Sequence, residues 1–66
     1  MSYDNQWESR EISLHVNNDE YLHGLARGSW SPKHFLYVLK SIGVSEIGGI
    51  YLTYQNVKES WEDAND

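Results

Sequence analysis

Cysteine is absent from this 66-residue sequence, and proline occurs once, at Pro32. No disulfide can therefore support the fold, although domains of this size often depend on disulfides, metals or oligomerisation. The lack of a cysteine framework and of any Asn-x-Ser/Thr acceptor disfavours a secreted protein. We expect one small cytoplasmic domain over 1–66, with frayed ends at 1–5 and 64–66.

Long apolar runs and basic clusters are missing as well. No run approaches the roughly 20 residues that a membrane span requires, and the polar stretch Met1–Arg10 has no signal-peptide core. Basic residues number 5 against 10 acidic ones, for a net charge of −5, and they are spread along the chain. We therefore predict no membrane span and no direct nucleic-acid binding. The acidity fits a partner with a basic surface, imitation of nucleic acid, or solubility alone.

Helix signals are clearest in the middle of the chain. Asn18 or Asp19 can cap a helix over 19–27, which Gly28 would end. The apolar stripe of this helix would consist of Leu22, Leu25 and Ala26.

The strongest start signal is Ser31 followed by Pro32, an N-cap and a proline at the first helical position. It predicts a helix from Pro32 to about Ile42, ended by Gly43. The spacing of 3.6 residues per turn places five apolar residues on one face: Phe35, Leu36, Val38, Leu39 and Ile42.

The segments 11–16 and 50–54 are ambiguous. Both alternate apolar and polar residues, as half-buried strands do, yet Ile12 and Val16 also share one helical face. We favour a helix for the first segment, a loop over 44–49, and a final helix Val57–Ala64 capped by Asn56, with Val57 and Trp61 buried. The predicted fold is mainly α, a bundle of three to four short helices. The alternative is an α+β domain in which strands 11–16 and 50–54 pair.

The segment from Trp7 to Arg27 carries a more specific pattern. It reads W-E-S, then Ile, Leu and Val at alternate positions, then N-D-E. This resembles the opening of a family of small uncharacterised proteins of phages, plasmids and bacteria, with Arg10 and His15 where that family has aromatic residues. The resemblance implies a phage or mobile-element origin and a helical first segment. It implies no activity.

The sequence offers no convincing arrangement for catalysis or for a cofactor. His15, Asp19 and His23 are spaced as metal ligands on one continuous helix would be, but the Asn17-Asn18 break interrupts that helix. No motif places a nucleophile beside a base, and Gly48-Gly49 lacks the Lys-Ser/Thr of a phosphate loop. We expect neither an enzyme nor a metal or cofactor site.

Surplus aromatic residues and carboxylates are the features that indicate binding. Trp7, Trp30 and Trp61 form either the core or an interface. Tyr37 and Tyr51 are expected to be exposed, as interface anchors are. The residues that we predict to contact a partner are Tyr37, Tyr51, Asp19, Glu20, Glu59, Glu62 and Asp63.

These features lead to two functional hypotheses. The first is an acidic phage or mobile-element protein in the host cytoplasm that inhibits or modulates a host machine by steric and charge mimicry. A defence nuclease, a restriction enzyme or an RNA polymerase would be such a target, since each carries a basic phosphate track. The second is a structural or assembly protein that acts as a homo-oligomer.

Overall fold

The computed structural model describes residues 6–66, which form four helices and a small hairpin. The elements are α1 (Gln6–Asn18), α2 (Glu20–Gly28), α3 (Pro32–Ser41), β1 (Glu46–Ile47), β2 (Ile50–Tyr51) and α4 (Tyr54–Ala64). The prediction of a mainly α bundle is confirmed. The predicted fraying at 1–5 falls outside the described residues. Among the helices of residues 6–66, none is long and apolar enough to cross a membrane.

Segment 11–16 is helical and belongs to α1. Ile12 and Val16 are fully buried, while Leu14, which a strand would place on the same face, is 55% exposed. The alternative of a strand pairing with 50–54 is therefore wrong, because the buried residues of this segment follow the helical period.

The start signals of α2 and α3 act as predicted. Asp19 accepts hydrogen bonds from the backbone N–H groups of Tyr21 and Leu22, at 2.9 and 3.2 Å. Ser31 Oγ accepts from the N–H of His34 at 3.2 Å. One residue of the predicted apolar face of α3 is misplaced: Ile42 is 45% exposed, since it lies at the C-cap, past the last buried turn.

The segment 44–49, predicted to be a loop, contains strand β1 and the turn of a hairpin. The candidate strand 50–54 of the alternative fold is a strand only over Ile50–Tyr51. β1 pairs antiparallel with β2, with Ile47 opposite Ile50. Gly48 and Gly49 form the two-residue connection, with φ of +62° and +81°. Hairpin turns of this length need positive φ, which glycine adopts without strain.

Helix α4 begins at Tyr54 rather than at Val57, and its N-cap is Thr53 rather than Asn56. Thr53 Oγ1 accepts from the N–H of Asn56, and Asn56 Oδ1 accepts from the N–H of Thr53. Asn56 also donates through Nδ2 to the carbonyl of Tyr51, which joins the hairpin to α4. Asn56 is thus the inward-facing member of a capping box and is 2% exposed.

The core lies around α4, which packs against α1, α2 and α3. Near the end of the chain, where we predicted fraying over 64–66, Ala64 is buried. Its carbonyl accepts a hydrogen bond from Arg27, and Asn65 donates to the carbonyl of Ala26. The buried apolar residues are Ile12, Val16, Ala26, Phe35, Leu39, Ile47, Ile50, Val57 and Ala64.

Candidate protein-binding surface

The seven residues predicted to contact a partner lie in four separate places. Tyr37 on α3 is 68% exposed and Tyr51 on β2 is 73% exposed, which confirms the predicted exposure of both. Asp19 and Glu20 lie at the start of α2, and three carboxylates lie on α4: Glu59, Glu62 and Asp63. No single surface therefore includes the whole predicted set.

The two carboxylates at the start of α2 have a structural role. Asp19 caps the helix through its two backbone hydrogen bonds. Glu20 lies in the first turn, where a negative charge interacts favourably with the helix dipole. These contacts explain both residues without a partner.

Glu59 and Asp63, one turn apart on α4, line a groove of about 390 Å³ between α1 and α4. We call it the α1/α4 groove; its other lining residues are Ser9, Arg10, Ser13, Leu14 and Asn17. Asn17 Nδ2 donates to Asp63 Oδ2 at 2.7 Å, and Gln55 Nε2 donates to Glu59 Oε2 at 2.6 Å. A carboxylate has about four acceptor sites, so both groups can still accept hydrogen bonds from a basic ligand.

Glu62 lies outside this groove. Its carboxylate is 3.6 Å from Lys58 Nζ, one turn earlier on α4, and both side chains are substantially exposed. Exposed pairs of this kind contribute only about 0.2–1 kcal/mol. We therefore place Glu62 on the neighbouring surface of α4 rather than among the residues that form the groove.

Two apolar side chains of α1 are exposed, and one of them, Leu14, lines the groove. Trp7 is 62% exposed and Leu14 is 55% exposed. They are seven residues apart on the helix, so they lie on one face with Arg10 between them. Neither residue was among the predicted contacts, although the i, i+3, i+7 spacing of Trp7, Arg10 and Leu14 was a usable signal.

The three tryptophans have different environments. The interpretation of Trp7 and Trp30 as core residues is wrong, because Trp30 is 86% exposed and Trp7 is mostly exposed. Trp61 is partly buried against the core, and its Nε1 donates to the carbonyl of Ser29 at 3.3 Å. Trp30 stacks on His34, with ring centroids 4.6 Å apart and planes inclined by 18°.

A second groove, of about 520 Å³, lies between the start of α2 and the hairpin. Its lining includes His15, Tyr21, Leu22, Val44 and Ile47. Its two carboxylates are Asp19, which caps α2, and Glu46 on β1. This groove has as many carboxylates as the α1/α4 groove, and it differs from that groove in its more apolar lining and in the role of Asp19 as a helix cap.

The histidine and carboxylate residues do not converge. His15 lies 3.7 Å from Glu11 on the same helix, while Asp19 is engaged as a cap on the next. Within 6–66, no three His, Cys, Asp or Glu side chains are grouped so that they could hold a metal ion.

Compared with protein-family models, with curated proteins and with solved structures, the chain has no significant match. The function is therefore inferred from the geometry of the surface. The resemblance of Trp7–Arg27 to a phage and plasmid family stays a prediction.

Proposed function

We propose that this protein is a small binding protein that acts by occupying a basic surface of another protein. The single observation that carries the proposal is the α1/α4 groove. Two carboxylates, Glu59 and Asp63, line it together with the exposed Leu14, and Trp7 is exposed two turns earlier on the same face of α1. Such a surface matches lysine or arginine side chains accompanied by apolar contacts.

The physical basis of such binding would be divided between two kinds of residue. Exposed tryptophan is a frequent anchor of protein interfaces, because it buries a large area at little cost in conformational entropy. The carboxylates would raise the association rate and orient the partner. Because exposed charges are screened over about 8 Å at physiological ionic strength, the affinity should fall as salt is added.

The more specific proposal is that the partner is a host nucleic-acid enzyme. A defence nuclease, a restriction enzyme or an RNA polymerase has a basic track for phosphates, and carboxylates in the groove would occupy part of it. The protein would then inhibit or modulate its target by excluding nucleic acid. The net charge of −5 supports this proposal, and the phage origin is implied only by the sequence resemblance.

The experiment is a calorimetric titration of the protein with a short lysine-rich peptide that contains leucine. We expect the affinity for the peptide to fall at least tenfold between low and high salt. The variant Glu59→Gln/Asp63→Asn should lose a comparable amount of affinity at low salt. The matched control is Glu11→Gln/Glu46→Gln, which removes the same charge away from the groove and should bind as the wild type does. Equal binding by both double variants would contradict the proposal.

A further inference from the structure

One face of α3 differs in charge and composition from the rest of the described surface. Lys33, Tyr37 and Lys40 follow each other at i, i+4 and i+7 and are all exposed. They point away from Phe35 and Leu39, which are fully buried in the core. Tyr37 is 68% exposed between the two lysines.

The same face continues at the N-terminal end of α3 with an aromatic stack. Trp30 lies flat on His34, and the N–H of Trp30 donates to His34 Nδ1 at 3.1 Å. The hydrogen bond and the stack hold a largely exposed tryptophan in a fixed position. We call the resulting surface the α3 face; it consists of Trp30, Lys33, His34, Tyr37 and Lys40.

The α3 face contains two lysines and no carboxylate, whereas the α1/α4 groove contains two carboxylates and Arg10. No acidic residue occurs between Glu20 and Glu46, a segment that includes all of α3. The carboxylates are found before and after it, with four of the ten in the last eight residues, at 59, 62, 63 and 66. The protein therefore carries, in one chain, a basic aromatic surface and a groove in which two carboxylates outnumber one basic residue, Arg10.

The two surfaces lie on different flanks of α4. Glu59 and Asp63 are on the flank that faces α1. Trp61 is on the other flank, where its indole donates to the carbonyl of Ser29, directly before Trp30. One copy can therefore present its α3 face to a second copy while its own groove stays open.

We propose that the α3 face of one copy docks in the α1/α4 groove of a second copy. Lys33 and Lys40 would meet Glu59 and Asp63, and Trp30 or Tyr37 would pack against Leu14. This contact rests on the groove of the proposed function but needs no other protein. Because the contact joins two different surfaces, it forms open chains or rings rather than a closed pair.

The assembly would be weak and reversible. A standard interface buries about 800 Å² on each partner, nearly a fifth of the protein's 4327 Å² accessible surface. A ten-residue helix is only about 15 Å long, so α3 offers less than that area. We therefore expect association in the high-micromolar range, lost as the charges are screened.

The test is analytical ultracentrifugation of the full chain over a range of concentrations. We expect the average mass to rise with concentration at low salt and to return to the monomer at high salt. Lys33→Glu/Lys40→Glu and Glu59→Lys/Asp63→Lys should each be monomeric alone, with helical circular dichroism like that of the wild type. Mixed together they should associate again, because each restores the charge pairing of the other.

The control is the single chain Lys33→Glu/Lys40→Glu/Glu11→Lys/Glu46→Lys. It has the same net charge as the charge-exchanged chain Lys33→Glu/Lys40→Glu/Glu59→Lys/Asp63→Lys, which should associate, but it keeps carboxylates on both contact surfaces and should stay monomeric. Restored association in this control would show that net charge alone is responsible and would overturn the proposal. A wild type that stays monomeric at millimolar concentration would overturn it too. So would binding of single-stranded oligothymidine to the α3 face without self-association.

The self-association experiment and the peptide titration of the proposed function can fail independently of each other. Lys33→Glu/Lys40→Glu keeps the α1/α4 groove intact. If self-association fails but this variant binds the lysine-rich peptide, the proposed function stands alone. If self-association is restored by the charge exchange but no variant binds the peptide, the groove serves assembly instead.

Discussion

Asn17 on α1 donates a hydrogen bond to Asp63 on α4, with Nδ2 and Oδ2 separated by 2.7 Å. This contact joins the two walls of the α1/α4 groove at the end of α1. It also fixes the orientation of a carboxylate that is otherwise exposed. A group that is positioned but still able to accept further hydrogen bonds is well suited to a basic ligand.

Asp63→Asn separates the role of the charge from that of the hydrogen bond. The amide oxygen can still accept from Asn17, and removing a negative charge near the C-terminus of α4 relieves an unfavourable interaction with the helix dipole. We expect the free energy of unfolding in urea to stay the same or to rise by about 0.5 kcal/mol. Affinity for the lysine-rich peptide should fall. A large loss of stability would contradict this account of Asp63.

Asn56 is predicted to be the most sensitive polar residue of the capping box. Asn56→Ala leaves the N–H of Thr53 and the carbonyl of Tyr51 without their present partner, and we expect a loss of about 2 kcal/mol. Thr53→Ala removes only the cap and should cost about 1 kcal/mol. Urea unfolding measures both. A larger loss of stability in Thr53→Ala than in Asn56→Ala would show that the hairpin does not depend on Asn56.

His23 offers a route to a more stable protein. Its Nδ1 is buried and has no hydrogen-bond partner among the residues that the structure describes. An unpaired buried polar group is unfavourable by about 1–3 kcal/mol, so His23→Leu should raise the free energy of unfolding by about 1 kcal/mol. The same substitution at the exposed His15 is the control and should change it by less than about 0.5 kcal/mol. A destabilised His23→Leu would indicate a partner for Nδ1.

Two glycine-to-alanine variants test the turn of the hairpin. Gly48 and Gly49 both have positive φ, which is unfavourable for alanine by about 1–2 kcal/mol. A Cβ at Gly48 would also lie 2.5 Å from His15 Nε2, whereas one at Gly49 meets nothing within 4 Å. We therefore expect Gly48→Ala to lower the free energy of unfolding more than Gly49→Ala does. In a double-mutant cycle with His15→Ala, this difference should disappear.

Gly24→Ala is the control for that series, because Gly24 is helical and a Cβ added there would meet nothing within 4 Å. It should stabilise the protein by about 1 kcal/mol. Equal effects of alanine at 24, 48 and 49 would contradict the positive φ of the turn.

Local signals explain the parts of the fold that were predicted correctly. Asp19 and Ser31 act within four residues of their own position, so their caps can be identified without tertiary information. The start of α4 was misassigned because Thr53 and Asn56 are both good caps. The hairpin decides between them, since Asn56 bonds to the carbonyl of Tyr51 in β2.

The candidate site depended on information that the sequence does not contain. The spacing of Glu59 and Asp63 places them on one face of a helix, but only the packing of α1 against α4 makes that face one side of a groove. From the sequence, Trp7 and Trp30 could belong either to the core or to an interface. The core is filled instead by smaller aliphatic residues and Phe35, which leaves both indoles outside.

The most direct test of the central claim is a residue-resolved NMR titration of the ¹⁵N-labelled protein with the lysine-rich peptide. We predict that the largest amide shifts occur at the α1/α4 groove, at Ser13, Asn17, Glu59 and Asp63. These shifts should be absent with a matched glutamate peptide. Shifts centred on the second groove or on the α3 face, or no shifts at millimolar peptide, would contradict the claim.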